Sequence, residues 1–295
     1  MSEPAPPEGV LLCADDFAMT NGVSQSIVEL AEAGRLSAVS AFTTTAHWPS
    51  HATWIARMRG KVAVGLHFNL TLGSPLAAMP NLAPGATFPT INQLTARSLR
   101  GAINLHEIAA EVTRQLAAFE AEIGFPPDHI DGHQHVHALP GIRRAVLDAA
   151  GTRYSNSRLK PLMRSPCDSL VRIAARGRNG AKAAILAALT TGFTTAARRA
   201  GFPVNDSFGG VTGFADTAVE ADYAAAVEAR SGRHLVMCHP GEFDAELERI
   251  DPILGRRVAE HRYLLSGGFQ APLWRPRRTA MGKPVDWQAE WTPGP

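Results

Sequence analysis

Short apolar runs alternate with longer stretches of helical periodicity along most of this chain, and this alternation restricts the fold more than any other feature. Apolar runs lie at residues 9–14, 38–44, 61–68 and 233–240, with amphipathic stretches such as 106–124 between them. Such alternation predicts a parallel sheet covered by helices. At least six βα-like units can be counted. We therefore expect an α/β fold, either a barrel or a distorted barrel-like form, with the active site at the carboxyl ends of the strands.

The same rhythm predicts a single domain over residues 1–295, with a helical basic insertion at about 164–202. This insertion has one acid, Asp168, and seven basic residues, namely Arg164, Arg172, Arg176, Arg178, Lys182, Arg198 and Arg199. It is interpreted either as a lid, a dimer contact or a patch for an anionic substrate, or as a solvated helical insertion. A further segment, 62–96, has no charged residue and several prolines, which predicts that its later part is a packed irregular loop that walls a pocket.

Composition argues against several classes of protein. A formal net charge of +2 over 295 residues makes nucleic acid a poor partner. Three cysteines without a CxxC pair argue against a disulfide framework and against a thiolate zinc site, so we expect a reducing, cytoplasmic location. The first eight residues do not have the pattern of a secretory signal. No membrane span is expected, because the apolar run 183–197 is shorter than the ~20 residues that a bilayer requires.

Two adjacent carboxylates, Asp15 and Asp16, directly follow the first apolar run. Neighbouring carboxylates repel each other unless a cation is near, and a metal ion is the simplest such cation. The alternative is that Asp16 or Thr20 only caps the following helix. His67 closes a later apolar run and is interpreted either as a metal ligand or as a hydrogen-bonded core residue.

The segment HIDGHQHVH (129–137) is the strongest indication of a metal site. Its histidines and Asp131 occupy every second position, so in an extended chain all of them would project to one face. Asp131 and His133 are the expected inner pair, because the chain turns into a helix near Pro140. A carboxylate with neutral imidazoles suits Zn, Mn or Fe, whereas carboxylate and water suit Mg, so this pattern leaves the metal open.

Two more residues are predicted at strand ends. His239 precedes Pro240 and Gly241, and a stiff turn of this kind would hold it as a general acid. Arg158 ends the run 152–158 and is interpreted either as a partner of a carboxylate or as a surface charge. Since the carboxyl ends of the strands form one face of an α/β barrel, these residues are expected to meet the acids and histidines there.

Four motifs, taken together, resemble the YdjC-like carbohydrate deacetylases, a family that includes chitooligosaccharide deacetylase and deacetylases associated with hopanoid biosynthesis. They are LLCADDF (11–17), GLHFNLTLGSPLAAMP (65–80), HIDGHQHVH (129–137) and MCHPGEFD (237–244). The resemblance covers about Val10 to Leu265. It implies a barrel-like α/β fold, a divalent metal, a possible homodimer, and removal of acetyl from an N-acetylated sugar such as a chitooligosaccharide or a lipid-linked N-acetylhexosamine.

Position by position, the resemblance implies that Asp16, His67 and His133 bind the metal, that Asp15 is the catalytic base and that His239 is the acid. Magnesium is the metal that the family most often implies, with zinc or another transition metal as alternatives. The sequence departs from the family pattern at two places. Ala18 stands where family members often have glycine, and the basic segment 164–202 has no clear counterpart.

Amide hydrolysis needs an activated water, a stabilised oxyanion and a protonated amine. The bound metal is expected to polarise the acetyl carbonyl and to lower the pKa of its water. Asp15 would take the proton of the water, with Arg158 orienting it, and His239 would stabilise the oxyanion or protonate the departing nitrogen. Asp131 is expected to fix the tautomer of a ligating histidine.

The walls of the sugar site are expected at residues 69–80 and 208–214, with Trp48 or Trp54 as a stacking platform. One alternative function is a metal-dependent phosphoesterase or a sugar isomerase on a similar barrel. An alternative of another class is an inactive carbohydrate-binding protein.

The deacetylase and phosphoesterase alternatives predict different metal ligands. A phosphoesterase would bind two or more metals and would also use His135 and His137. A related possibility is that His133 and His137 form a metal-binding HxxxH pair.

Overall fold

The computed structural model describes residues 9–213, 218–278 and 283–287. In this part of the chain, seven strands form one parallel sheet in the order β5-β4-β3-β2-β1-β7-β6. The strands are β1 Val10–Phe17, β2 Ala38–Ala41, β3 Ala63–Phe68, β4 His129–Gly132, β5 Leu162–Met163, β6 Ser207–Gly209 and β7 His234–Cys238. The sheet curls, and an isolated parallel bridge links Met163 of the edge strand β5 to Val204, which lies shortly before the other edge strand, β6. The predicted α/β barrel-like fold is confirmed.

Helices cover the outside of the sheet and connect its strands. They are α1 Asn21–Glu32, α2 Trp48–Ala56, α3 Ile91–Leu99, α4 Leu105–Ile123, α5 Ile142–Arg153, α6 Leu170–Arg176, α7 Gly180–Leu189, α8 Phe193–Arg199, α9 Val219–Val227, α10 Ala245–Ile250 and α11 Leu254–Leu265. None of the helices in the described ranges is both long and apolar enough to cross a membrane.

Local sequence signals explain where several helices begin and end. The Thr20 side chain accepts a hydrogen bond from the Val23 N–H and caps α1, and Asn104 caps α4 in the same way. Gly124 ends α4 in the left-handed conformation, with φ 78°. The predicted helix at 106–124 therefore corresponds closely to α4.

Side chains of β1 alternate between two cores. Leu12 and Ala14 point outward and pack under the covering helices, whereas Leu11 and Cys13 point into the barrel interior. This is the two-residue period of a strand. The alternation brings Asp15 to the interior side at the carboxyl end of the barrel, where it is buried.

The predicted strand at 152–158 is wrong. Helix α5 continues to Arg153, and the strand that follows is the two-residue β5. Arg158 is exposed and lies before β5, beside Trp287. The indole of Trp287 donates to the carbonyl of Asp128, the residue that precedes β4. Arg158 therefore lies at the amino ends of the strands, and the structure does not bring it to the other predicted site residues.

The segment 129–137 is extended only in its first half. Strand β4 ends at Gly132, and residues 133–138 form a 3₁₀ turn in which Gln134 and His135 have positive φ values of 51° and 61°. The shared face therefore holds for His129 and Asp131 but not for the histidines that follow.

The basic segment 164–202 contains α6, α7 and α8, and most of its charges are paired. Arg172 and Arg176 both bind Asp168, Arg178 binds Asp222 and Arg198 binds Asp206. These pairs neutralise much of the positive charge. The structure therefore gives no support to a patch for an anionic substrate.

Candidate active site

The end of β1 is bent so that its two carboxylates face different partners. The pairing register with β2 shifts between Ala14 and Phe17, and Asp16 and Ala18 have φ values of 70° and 67°. Left-handed backbone at a residue other than glycine costs about 1–2 kcal/mol, and such strain occurs often at functional sites. The bend separates Asp15 from Asp16, so that each carboxylate has its own set of neighbours.

Asp16, His67 and His133 converge on one point. The Oδ1 atom of Asp16 lies 3.0 Å from His133 Nδ1 and 3.2 Å from His67 Nε2. The three ligand atoms lie within 4.8 Å of one another. Asp16 and His67 are buried and His133 is partly exposed, which leaves one side open. One carboxylate oxygen and two imidazole nitrogens, with an open position, are a donor set that fits a catalytic divalent metal.

Asp16 presents only one oxygen to the histidines. Its other oxygen, Oδ2, accepts a hydrogen bond of 2.6 Å from Arg257 in α11. Burial raises the pKa of Asp16, but Arg257 and His133 outweigh it and hold that pKa well below its usual range. Asp16 is therefore a carboxylate, with Oδ1 available as a metal ligand.

Asp131 holds His67 in the orientation that a ligand requires. His67 Nδ1 lies 2.7 Å from Asp131 Oδ1, so the N–H at Nδ1 donates to the carboxylate and Nε2 points to Asp16. Burial lowers the pKa of His67, but Asp131 and Asp15 outweigh it and raise that pKa to about 10. This predicted contact of Asp131 is therefore present. The raised pKa also shows that this site attracts positive charge.

Asp15 is clamped by a buried arginine that the sequence did not single out for this site. Arg164 donates to both oxygens of Asp15, at 2.6 Å and 2.8 Å, and its Nη1 lies 2.9 Å from Asp131 Oδ2. His239 Nε2 is 3.9 Å from Asp15 Oδ2. Burial lowers the pKa of His239, although Asp16 and Asp15 oppose this. Asp15 and His239 thus lie next to each other beside the three metal-binding candidates.

Five of the six predicted site residues therefore meet, and Arg164 occupies the position expected for Arg158. Arg164 directly follows β5, whose two residues are too short to show as an apolar run. Arg257 was also missed, because it lies within the amphipathic helix α11 among other charged residues. Neither arginine carries a sequence signal that separates it from surface arginines.

His135 and His137 lie outside the cluster of metal-binding candidates. His137 is buried and its Nε2 donates to the carbonyl of Arg164 at 2.7 Å, while the ring of His135 packs edge-on against Phe208. Burial lowers the pKa of His137 to about 4. His137 therefore supports the end of β5, and the structure does not favour a pair of His133 and His137 as ligands.

The expected sugar platform is only partly available. Trp48 is 2% exposed and stacks on Phe119, so it cannot stack on a sugar. Trp54 is partly buried and stacks on His51. Of the expected wall 208–214, Phe214 lies outside the described residues.

The loop after β3 is fixed by one polar face of α4. Gln115 accepts from the Asn69 N–H, Glu111 from the Leu76 N–H and Glu107 from the N–H groups of residues 81 and 82. These acceptors are four residues apart, so they lie on one side of the helix. The part of the uncharged segment between β3 and α3 is therefore a loop that α4 tethers at the carboxyl end of β3.

Comparison with known proteins gives a family match over a range that includes all four motifs. The family model for YdjC-like proteins matches residues 9–274. A chitooligosaccharide deacetylase of Yersinia enterocolitica serotype O:8 is 39% identical over 133 residues, which are 45% of this chain and 52% of that protein. A chitooligosaccharide deacetylase of Yersinia pestis bv. Antiqua (strain Angola) is 38% identical with the same coverage. The chain therefore spans about half the length of the curated relatives it matches.

One solved structure shows the same fold. A protein of Enterococcus faecalis V583, described as a candidate cellobiose-phosphate cleavage protein, superimposes with a TM-score of 0.67 at 20% identity. The match covers 90% of this chain and 93% of that one. Since the family model spans nearly all of the described chain, the resemblance carried by the four motifs is confirmed, and the chain belongs to the YdjC-like protein family.

Proposed function

We propose that this protein is a metal-dependent hydrolase that removes the acetyl group from an N-acetylated sugar. The observation that carries the proposal is the arrangement of Asp15 and His239 beside the convergent atoms of Asp16, His67 and His133. The names of the similar Yersinia proteins support the same reaction and suggest chitooligosaccharides as substrates.

A divalent metal held by Asp16, His67 and His133 would polarise the acetyl carbonyl and acidify a water molecule. Arg164 holds the Asp15 carboxylate through both oxygens, so that Asp15 is positioned to take a proton from the attacking water. His239, 3.9 Å from Asp15, is the group that protonates the departing nitrogen. Because burial lowers its pKa, the imidazolium form of His239 gives up its proton readily.

The identity of the metal is a separate proposal. The family resemblance implies magnesium, but two imidazoles in a set of three protein ligands are more typical of Zn²⁺, Mn²⁺ or Fe²⁺. We therefore propose a transition metal as the stronger activator, with magnesium as the comparison.

The alternatives from the sequence gain no support from the geometry. A phosphoesterase site was expected to use His137, which instead donates to a backbone carbonyl. A protein that only binds sugars has no need for a second acid clamped by Arg164. The single-domain organisation, the homodimer and the cytoplasmic location stay predictions.

The test is an assay of acetate release. The metal-free protein and the protein loaded with Zn²⁺, Mn²⁺ or Mg²⁺ would be offered N-acetylglucosamine oligomers, lipid-linked N-acetylhexosamines and small N-acetyl metabolites. We expect release that depends on metal, and its loss in His133→Ala. The matched control is His135→Ala, which we expect to retain most of the activity. Absence of release by folded, metal-loaded protein from all three substrate groups would contradict the proposal.

A further inference from the structure

Directly beneath the candidate metal site, the barrel interior contains a group of buried polar side chains that the proposed reaction does not use. Ser40 lies at its centre, with its Oγ 2.5 Å from Asp131 Oδ2, 2.8 Å from His129 Nε2 and 3.2 Å from Cys13 Sγ. All four residues are buried. Placing so many polar groups in an apolar interior is costly unless they bind one another in a defined order.

The order of donors in this group follows from elementary chemistry. Asp131 is an acceptor only, so the single proton of the Ser40 hydroxyl is directed to Oδ2. The Ser40 oxygen therefore accepts from His129, which must carry its proton on Nε2. The Cys13 thiol is a second donor to this oxygen, because burial raises its pKa well above the usual value and keeps it protonated.

This chain of hydrogen bonds ends at Asp131, which also faces the candidate site. Its Oδ1 accepts from His67, and its Oδ2 lies 2.9 Å from Arg164, the arginine that clamps Asp15. One oxygen of Asp131 thus contacts His67, a proposed metal ligand, and the other contacts Arg164, which holds the proposed base Asp15. The orientation of this carboxylate affects both parts of the site.

The backbone makes room for this arrangement. A Cβ atom at Gly65 in β3 would lie 2.4 Å from the ring of His129, so only glycine allows the imidazole to lie over that strand. The Nδ1 atom of His129 has no hydrogen-bond partner among the described residues. The hydrogen bond between His129 and Ser40 is therefore made through Nε2.

We propose that Ser40 and His129 are positioning residues, which fix the Asp131 carboxylate and through it orient His67 as a metal ligand. This inference rests on the proposed function for its catalytic meaning, but its direct consequence is metal affinity. Loss of an outer partner of a metal ligand typically weakens metal binding by about 10- to 100-fold. Ser40 acts through Asp131, which keeps its contacts to His67 and Arg164, so we expect the lower end of this range.

The experiment compares two buried serines, Ser40 in β2 and Ser37 directly before that strand. Ser40→Ala removes the hydrogen bond to Asp131, whereas Ser37→Ala removes a hydroxyl that donates only to the carbonyl of Val10. Metal affinity is measured by titrating the metal-free proteins with Co²⁺ and with Zn²⁺, and the visible absorption of bound Co²⁺ reports on the ligand geometry. We expect Ser40→Ala to bind about tenfold more weakly with an altered spectrum, and Ser37→Ala to match the wild type.

A third variant separates positioning from stability. Ser40→Cys keeps a donor in the same place, but a thiol is a weaker one, so its affinity should lie between those of the wild type and Ser40→Ala. If Ser40→Ala does not fold, the loss in Ser40→Cys decides the question. Thermal unfolding of the metal-free variants shows which effects are structural. Equal affinities and spectra for the wild type and all folded Ser40 variants would overturn the inference.

Failure of the positioning role can be distinguished from failure of the proposed function. If the wild type binds Co²⁺ and releases no acetate from any sugar, the proposed function fails, and the ranking of the Ser40 variants still decides the positioning role. If the wild type binds neither metal, both fail.

Discussion

The two ends of the barrel hold buried carboxylates in opposite ways. At the amino end, Asp128 accepts a hydrogen bond of 2.6 Å from Arg278 on each of its oxygens and further bonds from the N–H groups of Val64 and Val285. Each of these partners donates a hydrogen bond, and none of them is a group that binds a metal ion. Asp128 therefore ties the chain after β7 to the bottom of the sheet.

At the carboxyl end, three carboxylates share two guanidinium groups among the residues that the structure describes. Asp15 and Asp131 share Arg164, and Asp16 shares Arg257 with a further acid, Asp251. The remaining partners are imidazoles, which can bind a metal as well as a proton. An excess of buried negative charge is stable only with a cation. The balance of charge, rather than burial alone, therefore distinguishes the candidate binding site from the structural contact at Asp128.

The largest effect is expected from Asp15→Asn. An amide cannot take the proton of water, so kcat should fall by about 10²- to 10⁴-fold. Asp15 is not among the proposed ligands, so the dissociation constant for metal should change only a few-fold. Steady-state kinetics and metal titration of the same sample check both statements. Retained activity would remove Asp15 from the role of base.

Asp128→Asn is the matched change at the other end. It leaves Arg278 without its buried counter-charge, and breaking such a pair typically costs about 3–5 kcal/mol. We expect a loss of roughly this size in the free energy of unfolding, measured with urea, while kcat and metal affinity of the folded protein stay at wild-type values. A change in kcat without a change in stability would contradict the division between the two ends.

Metal binding should depend on pH through His67. Its pKa in the metal-free protein is raised to about 10, so it is protonated at pH 7, and it must lose that proton to become a ligand. Binding should therefore release about one proton, and affinity should rise by about tenfold per pH unit below pH 10. Calorimetry at pH 7.5 in buffers of different ionisation enthalpy measures this number. His67 would not be a ligand if no proton were released.

The sequence predicted the fold and the clustering of five site residues for one physical reason. Strand ends of a parallel barrel meet at one edge, so polar residues directly after apolar runs, such as Asp15, His67 and His239, are brought together. A strand as short as β5 leaves no apolar run in the sequence, so Arg158 was predicted at the position that Arg164 occupies. Contacts made by a distant helix, such as that of Arg257, have no local signal at all.

The smallest effect is expected at Ala18, the position where family members often have glycine. Its φ of 67° explains that preference, since glycine adopts this conformation without strain. Ala18→Gly relieves the strain but removes a buried methyl group worth about 0.8 kcal/mol and increases the entropy of the unfolded chain. These terms oppose each other, so the free energy of unfolding should change by less than about 1 kcal/mol, with metal affinity unaltered. A larger loss, or weaker metal binding, would show that the Ala18 methyl group is needed to hold the bend that separates Asp15 from Asp16.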